Sequence, residues 1–170
     1  MIVVLLEGPT DKGFIETLLT RLNIDGKVRL LGGNKPNKAK RYISSFLGKS
    51  NGKIVILKDL HRHSHRTLQK IVSLIEKPPQ VRVVIVKHAI ESWFLADPAA
   101  IQTIFGHSKD IEDPENIPNP DEELDKIAQQ CGKRYIKSLE IGRKFAQVCD
   151  IGLLKRKCKS FRKFLEVVGM

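Results

Sequence analysis

Short strand-like runs alternate with amphipathic segments along the first half of the chain. The runs are mostly apolar and predict four strands, at residues 2–6, 27–31, 53–57 and 81–86. The segments after the first three runs repeat their apolar residues at helical spacing and predict helices at residues 10–22, 36–47 and 65–75. Because strands and helices alternate, we expect right-handed crossovers and a mostly parallel sheet.

The second half of the chain predicts helices and no convincing strand. The helical patterns cover residues 93–105, 121–130, 135–148 and 160–168. Residues 106–120 are acidic, contain three prolines and predict a loop. We expect one domain over residues 1–170, with a Rossmann-like α/β core at 1–105 in which a sheet of about four strands is flanked by helices, followed by the loop and a helical extension at 121–170.

Three of the predicted strands run into an acidic residue. Glu7 follows the first strand, Asp59 lies two residues after the third, and Glu91 lies a few residues after the fourth. Because the carboxyl ends of parallel strands share one edge of a sheet, we expect these carboxylates to face one crevice, where α/β folds bind ligands. Carboxylate oxygens are the ligands that Mg²⁺ and Mn²⁺ prefer, so the pattern predicts a divalent metal site.

The segment after the first strand is the most specific local signal. Glu7 ends the strand, Gly8 allows the backbone to turn, and Thr10 is placed to cap the following helix. The free N–H groups of that helix would point toward the same crevice, an arrangement that suits a metal beside a phosphate. The alternative for Glu7 is a partner of the helix dipole with no metal.

The charge of the chain is high and unevenly distributed. There are 30 Lys and Arg residues against 19 Asp and Glu residues, a net charge of +11. Eight of the acidic residues fall within residues 110–125, which contain no Lys or Arg, so 30 basic residues face only 11 acidic ones elsewhere. Such a surface attracts nucleic acid without giving sequence preference. The alternative is a lysine-rich surface that only maintains solubility.

Basic residues cluster early in the second predicted helix and in the C-terminal segment around Phe161 and Phe164. Basic clusters with interleaved aromatic residues are typical of a surface that follows a nucleic-acid backbone. They also occur in an amphipathic helix whose aromatic residues lie in the core. We favour a core position for these two phenylalanines. The residues that we predict to contact nucleic acid are Lys12, Lys35, Lys38, Lys40, Arg41, Lys58, Arg62 and Arg66.

The three cysteines are odd in number and widely spaced, which argues against a disulfide framework and for buried thiols in a reducing compartment. The apolar opening of the chain is interrupted at Glu7, and no later apolar run is long enough to cross a membrane. We therefore expect a cytoplasmic protein with no membrane partner. The sequence leaves the oligomeric state open.

The chain resembles the TOPRIM fold of topoisomerases, primases, small ribosomal-RNA maturation nucleases and phage-defence nucleases. Its Glu7-Gly8 pair matches the Glu-Gly motif after the first strand of that fold, and residues 59–61 match a later Asp-x-Asp motif, except that His61 stands in place of the second Asp. The chain is most similar to an uncharacterised prokaryotic group of small stand-alone TOPRIM-like proteins. The resemblance rests on an EGxT-acid motif at residues 7–11, an ExWxxAD motif at 91–97 and a basic-aromatic helix at 159–165.

This resemblance implies metal-dependent chemistry on nucleic-acid phosphodiesters, with Glu7 as general acid or base and the Asp motif holding Mg²⁺. A neutral imidazole at His61 is a poor Mg²⁺ ligand and suits Mn²⁺ or another transition metal. The predicted ligands of a Mg²⁺ or Mn²⁺ ion are Glu7, Asp59, His61 and Glu91. The HxHxH string at residues 61–65 is either part of a metal site or a loop that contacts phosphate together with Arg62 and Arg66.

Two functions remain open from the sequence. The first is a metal-dependent phosphodiesterase that acts on DNA or RNA with Glu7, Asp59 and Glu91 as catalytic residues. The second is a non-catalytic nucleic-acid-binding module with a degenerate acidic site, an alternative that His61 in place of the second Asp leaves open. Asp97 is expected to cap a helix that starts at Pro98, and Trp93 is expected in the core.

We predict that the protein binds nucleic acid tightly at low salt and that the affinity falls steeply as salt rises, because lysine and arginine release counterions from phosphates. Charge reversal of Lys35, Lys38, Lys40 and Arg41 should reduce both the affinity and the salt slope, measured by titration of a labelled oligonucleotide. An unchanged slope would place the binding face elsewhere, most simply on the basic C-terminal segment.

Overall fold

The computed structural model describes residues 1–31, 36–47, 52–60, 66, 73 and 80–170. The helix predicted at residues 65–75 lies outside the described residues apart from Arg66 and Ser73, which are both helical.

In the described part of the chain, four parallel strands form one sheet in the order β2-β1-β3-β4. The strands are β1 (Ile2–Leu6), β2 (Gly26–Leu30), β3 (Lys53–Asp59) and β4 (Val81–Val86). The first and fourth match the predicted bounds, β2 is shifted by one residue, and β3 continues two residues further, to Asp59. The predicted α/β, Rossmann-like architecture is therefore confirmed.

Both faces of the sheet are covered, which explains why its central strands are continuously apolar. Alternate side chains point to opposite faces, so Val4 and Leu6 of β1 join one core while Val3 and Leu5 join the other. The first core contains the apolar side of helix α1 and most of the C-terminal helices. The second core is smaller and includes Ala39 and Ile43 of helix α2.

The helices of the described residues follow the predicted pattern with several shifts. They are α1 (Pro9–Arg21), α2 (Pro36–Leu47), α3 (Glu91–Leu95), α4 (Pro98–Phe105), α5 (Pro120–Gln129), α6 (Leu139–Val148), α7 (Ile151–Lys157) and α8 (Lys159–Val168). The helix predicted from residue 135 begins only at Leu139, because the Ser138 side chain caps it by accepting a hydrogen bond from the Ile141 N–H at 3.1 Å. Helix α7 was not predicted.

Two predicted caps have different outcomes. Asp97 caps α4 as expected, accepting from the Ala100 N–H at 3.0 Å, and it also accepts from the Asp150 N–H at 2.7 Å. The predicted cap at Thr10 is wrong, because α1 begins one residue earlier with Gly8 as its N-cap. Pro9 occupies the first helical position, where its missing N–H and fixed φ are both tolerated. No helix among the described residues is long and apolar enough to cross a membrane.

The loop after α4 is anchored to the last helix by a buried carboxylate. Glu115, in a short 3-10 turn (Pro114–Asn116), accepts hydrogen bonds from the N–H groups of Lys159 at 2.8 Å and Ser160 at 3.1 Å. The Ser160 hydroxyl also bonds to Glu115 and accepts from the Trp93 indole N–H at 2.8 Å. Trp93 is fully buried, as predicted, and so are the two phenylalanines of α8.

Helices α1 and α6 approach so closely that only glycine fits at their crossing. A Cβ at Gly13 would lie 2.0 Å from the Leu139 carbonyl oxygen, and a Cβ at Gly142 would lie 2.1 Å from the Thr10 carbonyl oxygen. Both obstacles are backbone atoms, which cannot move without separating the helices. The contact therefore fixes the start of α6, and the residues just before it, against the start of α1.

We predict that Gly142→Ala lowers the free energy of unfolding by about 3 kcal/mol, because the added methyl group must push the two backbones apart. Urea denaturation followed by circular dichroism measures the change. Gly152→Ala in α7 is the matched control. Its nearest obstacle is a side-chain oxygen of Asp150 at 3.2 Å, so it should stay within about 1 kcal/mol of wild type. Equal effects of the two substitutions would contradict the packing argument.

Candidate active site

Four carboxylates from three parts of the chain line one pocket of about 170 Å³ at the carboxyl end of the sheet. Glu7 lies in the turn after β1, Asp59 is the last residue of β3, and Glu91 is the first residue of α3. Asp11, in the first turn of α1, is the fourth. The pocket thus brings together the three carboxylates that the strand pattern assigned to one edge of the sheet, and it adds one more.

The start of α1 presents Asp11 to the pocket. The Asp11 carboxylate accepts a hydrogen bond from the Gly8 N–H at 3.2 Å, as the acidic residue of a capping box does. Gly8 has φ −125° and ψ 164°, and a Cβ there would meet Asp11 at an ordinary 3.6 Å. The expectation that glycine avoids a Cβ clash in this turn is therefore wrong, since the backbone is extended and has space for a side chain.

Burial and mutual repulsion disfavour the charged forms of two of these groups. Burial and, to a smaller extent, the nearby charge of Glu91 raise the pKa of Asp11 to about 7, although the hydrogen bond from Gly8 acts to lower it. Burial also raises the pKa of Asp59 well above its ordinary value, and the charges of Asp11, Glu91 and Glu7 add to the increase. The pocket therefore concentrates negative charge that a cation would stabilise.

Two lysines supply positive charge to the pocket. Lys58, the neighbour of Asp59 on β3, is buried and forms an ion pair with Glu7. Lys137 comes from the segment before α6, and its Nζ lies 3.4 Å from Glu91 and 3.3 Å from Asp121. Burial alone would lower the pKa of Lys137, but the attraction of these two carboxylates raises it above its ordinary value. Lys137 is therefore a protonated, half-exposed cation at the pocket.

Tyr135 fixes the orientation of Glu91. Its hydroxyl donates a hydrogen bond of 2.8 Å to Glu91 Oε1 in a buried contact. Burial, and then the charge of Glu91, raises the pKa of Tyr135, so the phenol stays protonated and keeps donating. The position of Tyr135 is itself set by Asp125, which accepts from the Tyr135 N–H at 2.9 Å.

The hydroxyl of Thr10, which also lines the pocket, is a buried polar atom with no hydrogen-bond partner among the described residues. A buried hydroxyl without a partner costs free energy, so such groups usually bond to a ligand or to ordered water.

The donor set fits Mg²⁺ or Mn²⁺ in chemical type, because its carboxylate oxygens are hard ligands and carry excess negative charge. The side chains of this donor set are not already spaced as metal ligands. Among the described residues, no group of three or more His, Cys, Asp and Glu side chains is positioned to hold a metal ion. Glu7 is bonded to Lys58, and Glu91 to Tyr135 and Lys137. A divalent cation would therefore compete with Lys58 for Glu7 and with Lys137 for Glu91.

The residues predicted to contact nucleic acid do not converge on one site as the carboxylates do. Lys38, Lys40, Arg41 and Arg66 are exposed. Lys12 is about one-third exposed and pairs with Glu16 on the next turn of α1, at 3.7 Å. Lys58 is buried and paired with Glu7 rather than exposed on the basic surface. Predictions for Lys35, His61 and Arg62 lie outside the described residues.

Sequence reasoning missed two residues that line the pocket, Asp11 and Lys137, and it missed Tyr135, which bonds to Glu91. Asp11 was noted as part of the EGxT-acid motif, and its distance of four residues from Glu7 was an available signal. Tyr135 and Lys137 belong to the segment whose pattern predicts a helix from residue 135, and no local pattern connects them to Glu91, which precedes them by more than 40 residues. The cysteine prediction was partly wrong, because Cys149 and Cys158 are buried whereas Cys131 is exposed.

The fold and this pocket define an α/β domain with an acidic site at the carboxyl edge of a parallel sheet. The family described as "Domain of unknown function (DUF4276)" matches residues 6–168, and the chain belongs to that family. Comparison with curated proteins gives no match.

Two solved structures resemble the chain over almost its whole length. The C-terminal region of the Burkholderia pseudomallei OLD protein is 15% identical, with a TM-score of 0.59, and the match covers 98% of this chain and 96% of that one. The C-terminal region of the Xanthomonas campestris pv. campestris OLD protein, phased with iodine, is 15% identical, with a TM-score of 0.56, and covers 98% and 93%. At this identity the likeness shows the fold, which is consistent with a TOPRIM-like architecture.

We predict that Asp11→Asn stabilises the metal-free protein by on the order of 2 kcal/mol at pH 7, because it removes a buried carboxylate whose pKa is raised, while its amide oxygen can still accept from Gly8. Urea denaturation in the presence of a chelator measures the effect. Asp125→Asn is the matched control. Hydrogen bonds from Arg134 and Tyr135 lower the pKa of Asp125 to about 2, so this substitution should destabilise the fold. Destabilisation by both changes would contradict the charge argument.

Proposed function

We propose that the protein is a metal-dependent phosphodiesterase that acts on DNA or RNA at the carboxylate pocket. The observation that supports this most is the convergence of Glu7, Asp11, Asp59 and Glu91 on one pocket, in a chain that is otherwise basic. Clustered acids attract a divalent cation, and a surrounding basic surface attracts the phosphodiester. The TOPRIM resemblance of the Glu-Gly and Asp motifs points to the same chemistry.

The cation would be held by Glu7, Asp59 and Glu91, with Asp11 beside them and His61 added from the sequence motif. When bound, it activates a water molecule and neutralises charge on the scissile phosphate. The protein's own groups do the remaining work. Tyr135 keeps Glu91 oriented through its hydroxyl, and a phosphate oxygen entering the pocket can accept a hydrogen bond from the protonated Nζ of Lys137.

A second function, a non-catalytic nucleic-acid-binding module, is favoured by a different observation. Lys58 and Lys137 already neutralise part of the carboxylate charge, and the described residues contain no preformed metal-coordinating group. In that case the acidic pocket would be structural and the basic surface would carry the function.

The two functions differ in the expected effect of Glu7→Gln, which keeps the size of the side chain and removes its charge. For the enzyme, cleavage of labelled single- and double-stranded DNA or RNA should fall about 100-fold or more, with nucleic-acid affinity little changed. The reactions contain Mg²⁺, Mn²⁺ or chelator. Glu16→Gln on α1 is the matched control, since Glu16 lies outside the pocket and should not affect cleavage.

In the same assay, His61→Asp would complete the Asp-x-Asp motif and should shift the preferred ion from Mn²⁺ toward Mg²⁺. A wild-type protein that binds these nucleic acids and cuts none of them with either ion would support the binding module.

A further inference from the structure

A second pocket lies at the edge of the sheet, between β2 and α2, and shares no residue with the carboxylate pocket. Its volume is about 330 Å³, within the range that small-molecule sites occupy. Lys27 and Arg29 of β2 line one side, and Tyr42, Ser45 and Phe46 of α2 line the other. We call this pocket the edge groove.

The strand side of the edge groove carries two basic residues of the edge strand β2. Lys27 pairs in register with Val3, and Arg29 with Leu5, and both partners belong to the core on the α2 face. Charged residues on an edge strand deter unwanted strand pairing, which is the simplest explanation of these two side chains. That explanation does not account for the basic residues that α2 adds on the opposite side, where Tyr42 and Phe46 pack against the second core and stay partly exposed.

Helix α2 adds further positive charge. Lys38 lies four residues before Tyr42 and Arg41 four before Ser45, so both share the groove side of the helix. Both are exposed, as are Lys27 and Arg29. None of these four forms an ion pair with an acidic residue in the described part of the chain. A polyanion is the ligand that complements this charge.

The aromatic residues of the edge groove suit a nucleobase. The rings of Tyr42 and Phe46 are nearly parallel, with an interplanar angle of 13° and centroids 6.3 Å apart, and both are partly exposed. Nucleobases stack on such rings whatever their sequence, but only an unpaired base has a free face to offer. The combination of basic strand and aromatic helix therefore favours a single strand over a duplex.

We propose that the edge groove binds a single-stranded segment of nucleic acid, with its phosphates on Lys27, Arg29 and Arg41 and a base on Tyr42. The proposal rests on nucleic acid as the substrate of the proposed function. Arg29 is level with Leu5, two residues before Glu7, which is about 7 Å along the strand. The bound strand would lead toward the carboxyl edge of the sheet, where the carboxylate pocket lies.

The test is fluorescence anisotropy with labelled oligo(dT), oligo(U) and a duplex of equal length, in EDTA so that nothing is cut. Tyr42→Leu should weaken single-strand binding about 10-fold and duplex binding much less, because the stacking surface is lost. The double variant Lys27→Gln/Arg29→Gln should reduce the slope of log affinity against log salt by about 1.4 for single strands. Ser45→Glu adds a negative charge at an exposed groove position and should also weaken binding.

Lys155→Gln/Arg156→Gln in α7 is the matched control, since both residues are exposed and the charge change is the same. A loss of affinity in this control equal to that of the groove double variant would overturn the proposal, because the effect would then come from general charge or from binding at the basic C-terminal segment. Thermal melting checks that each variant folds. If Tyr42→Leu does not fold, normal binding by Ser45→Glu and the groove double variant would overturn the proposal.

Failure of this proposal and failure of the proposed function give different results. If the wild-type protein binds single strands through the edge groove but cuts no substrate, the groove proposal stands and the enzyme proposal fails. If the protein cuts nucleic acid, and the groove variants change neither its single-strand affinity nor its KM, the enzyme proposal stands and the groove proposal fails.

Discussion

The close contact between α1 and α6 determines how the pocket is assembled. Gly13 and Gly142 let the two backbones meet at a distance that any Cβ would prevent. Because α1 starts at the pocket, the residues just before α6 are held beside it. Tyr135 and Lys137 lie in those residues, and so a packing contact between two helices provides the hydrogen bond and the cation that reach Glu91.

The charge of the pocket opposes folding. Asp11 and Asp59 are buried close to each other and to two more carboxylates, and both have raised pKa values. A carboxylate whose only role is to stabilise the fold would be expected to resemble Asp125, which accepts hydrogen bonds that lower its pKa. Unfavourable carboxylate clusters are frequent at functional sites, where a ligand supplies the missing charge. Here Lys58 and Lys137 supply part of it.

Much of the fold was predictable because strand burial leaves a local pattern. Strands β1 and β4 and helix α2 have the predicted bounds, since apolar periodicity and flanking breakers decide them. The anchoring of the acidic loop was not predictable, because it depends on one carboxylate, Glu115, reaching the start of α8 from 44 residues away. Contacts of this kind depend on tertiary packing and produce no local sequence pattern from which they could be predicted.

The same division applies to the pocket. Glu7, Asp59 and Glu91 could be found because strand ends locate them, whatever their distance along the chain. Tyr135 and Lys137 could not, since their segment is irregular and packing alone brings it to Glu91. The acidic loop and α5 are also tied to neighbouring basic residues, as in the pair Lys109 with Glu123 at 2.8 Å. The net positive charge therefore lies on the rest of the chain, where four of the 11 remaining acidic residues are grouped in the pocket.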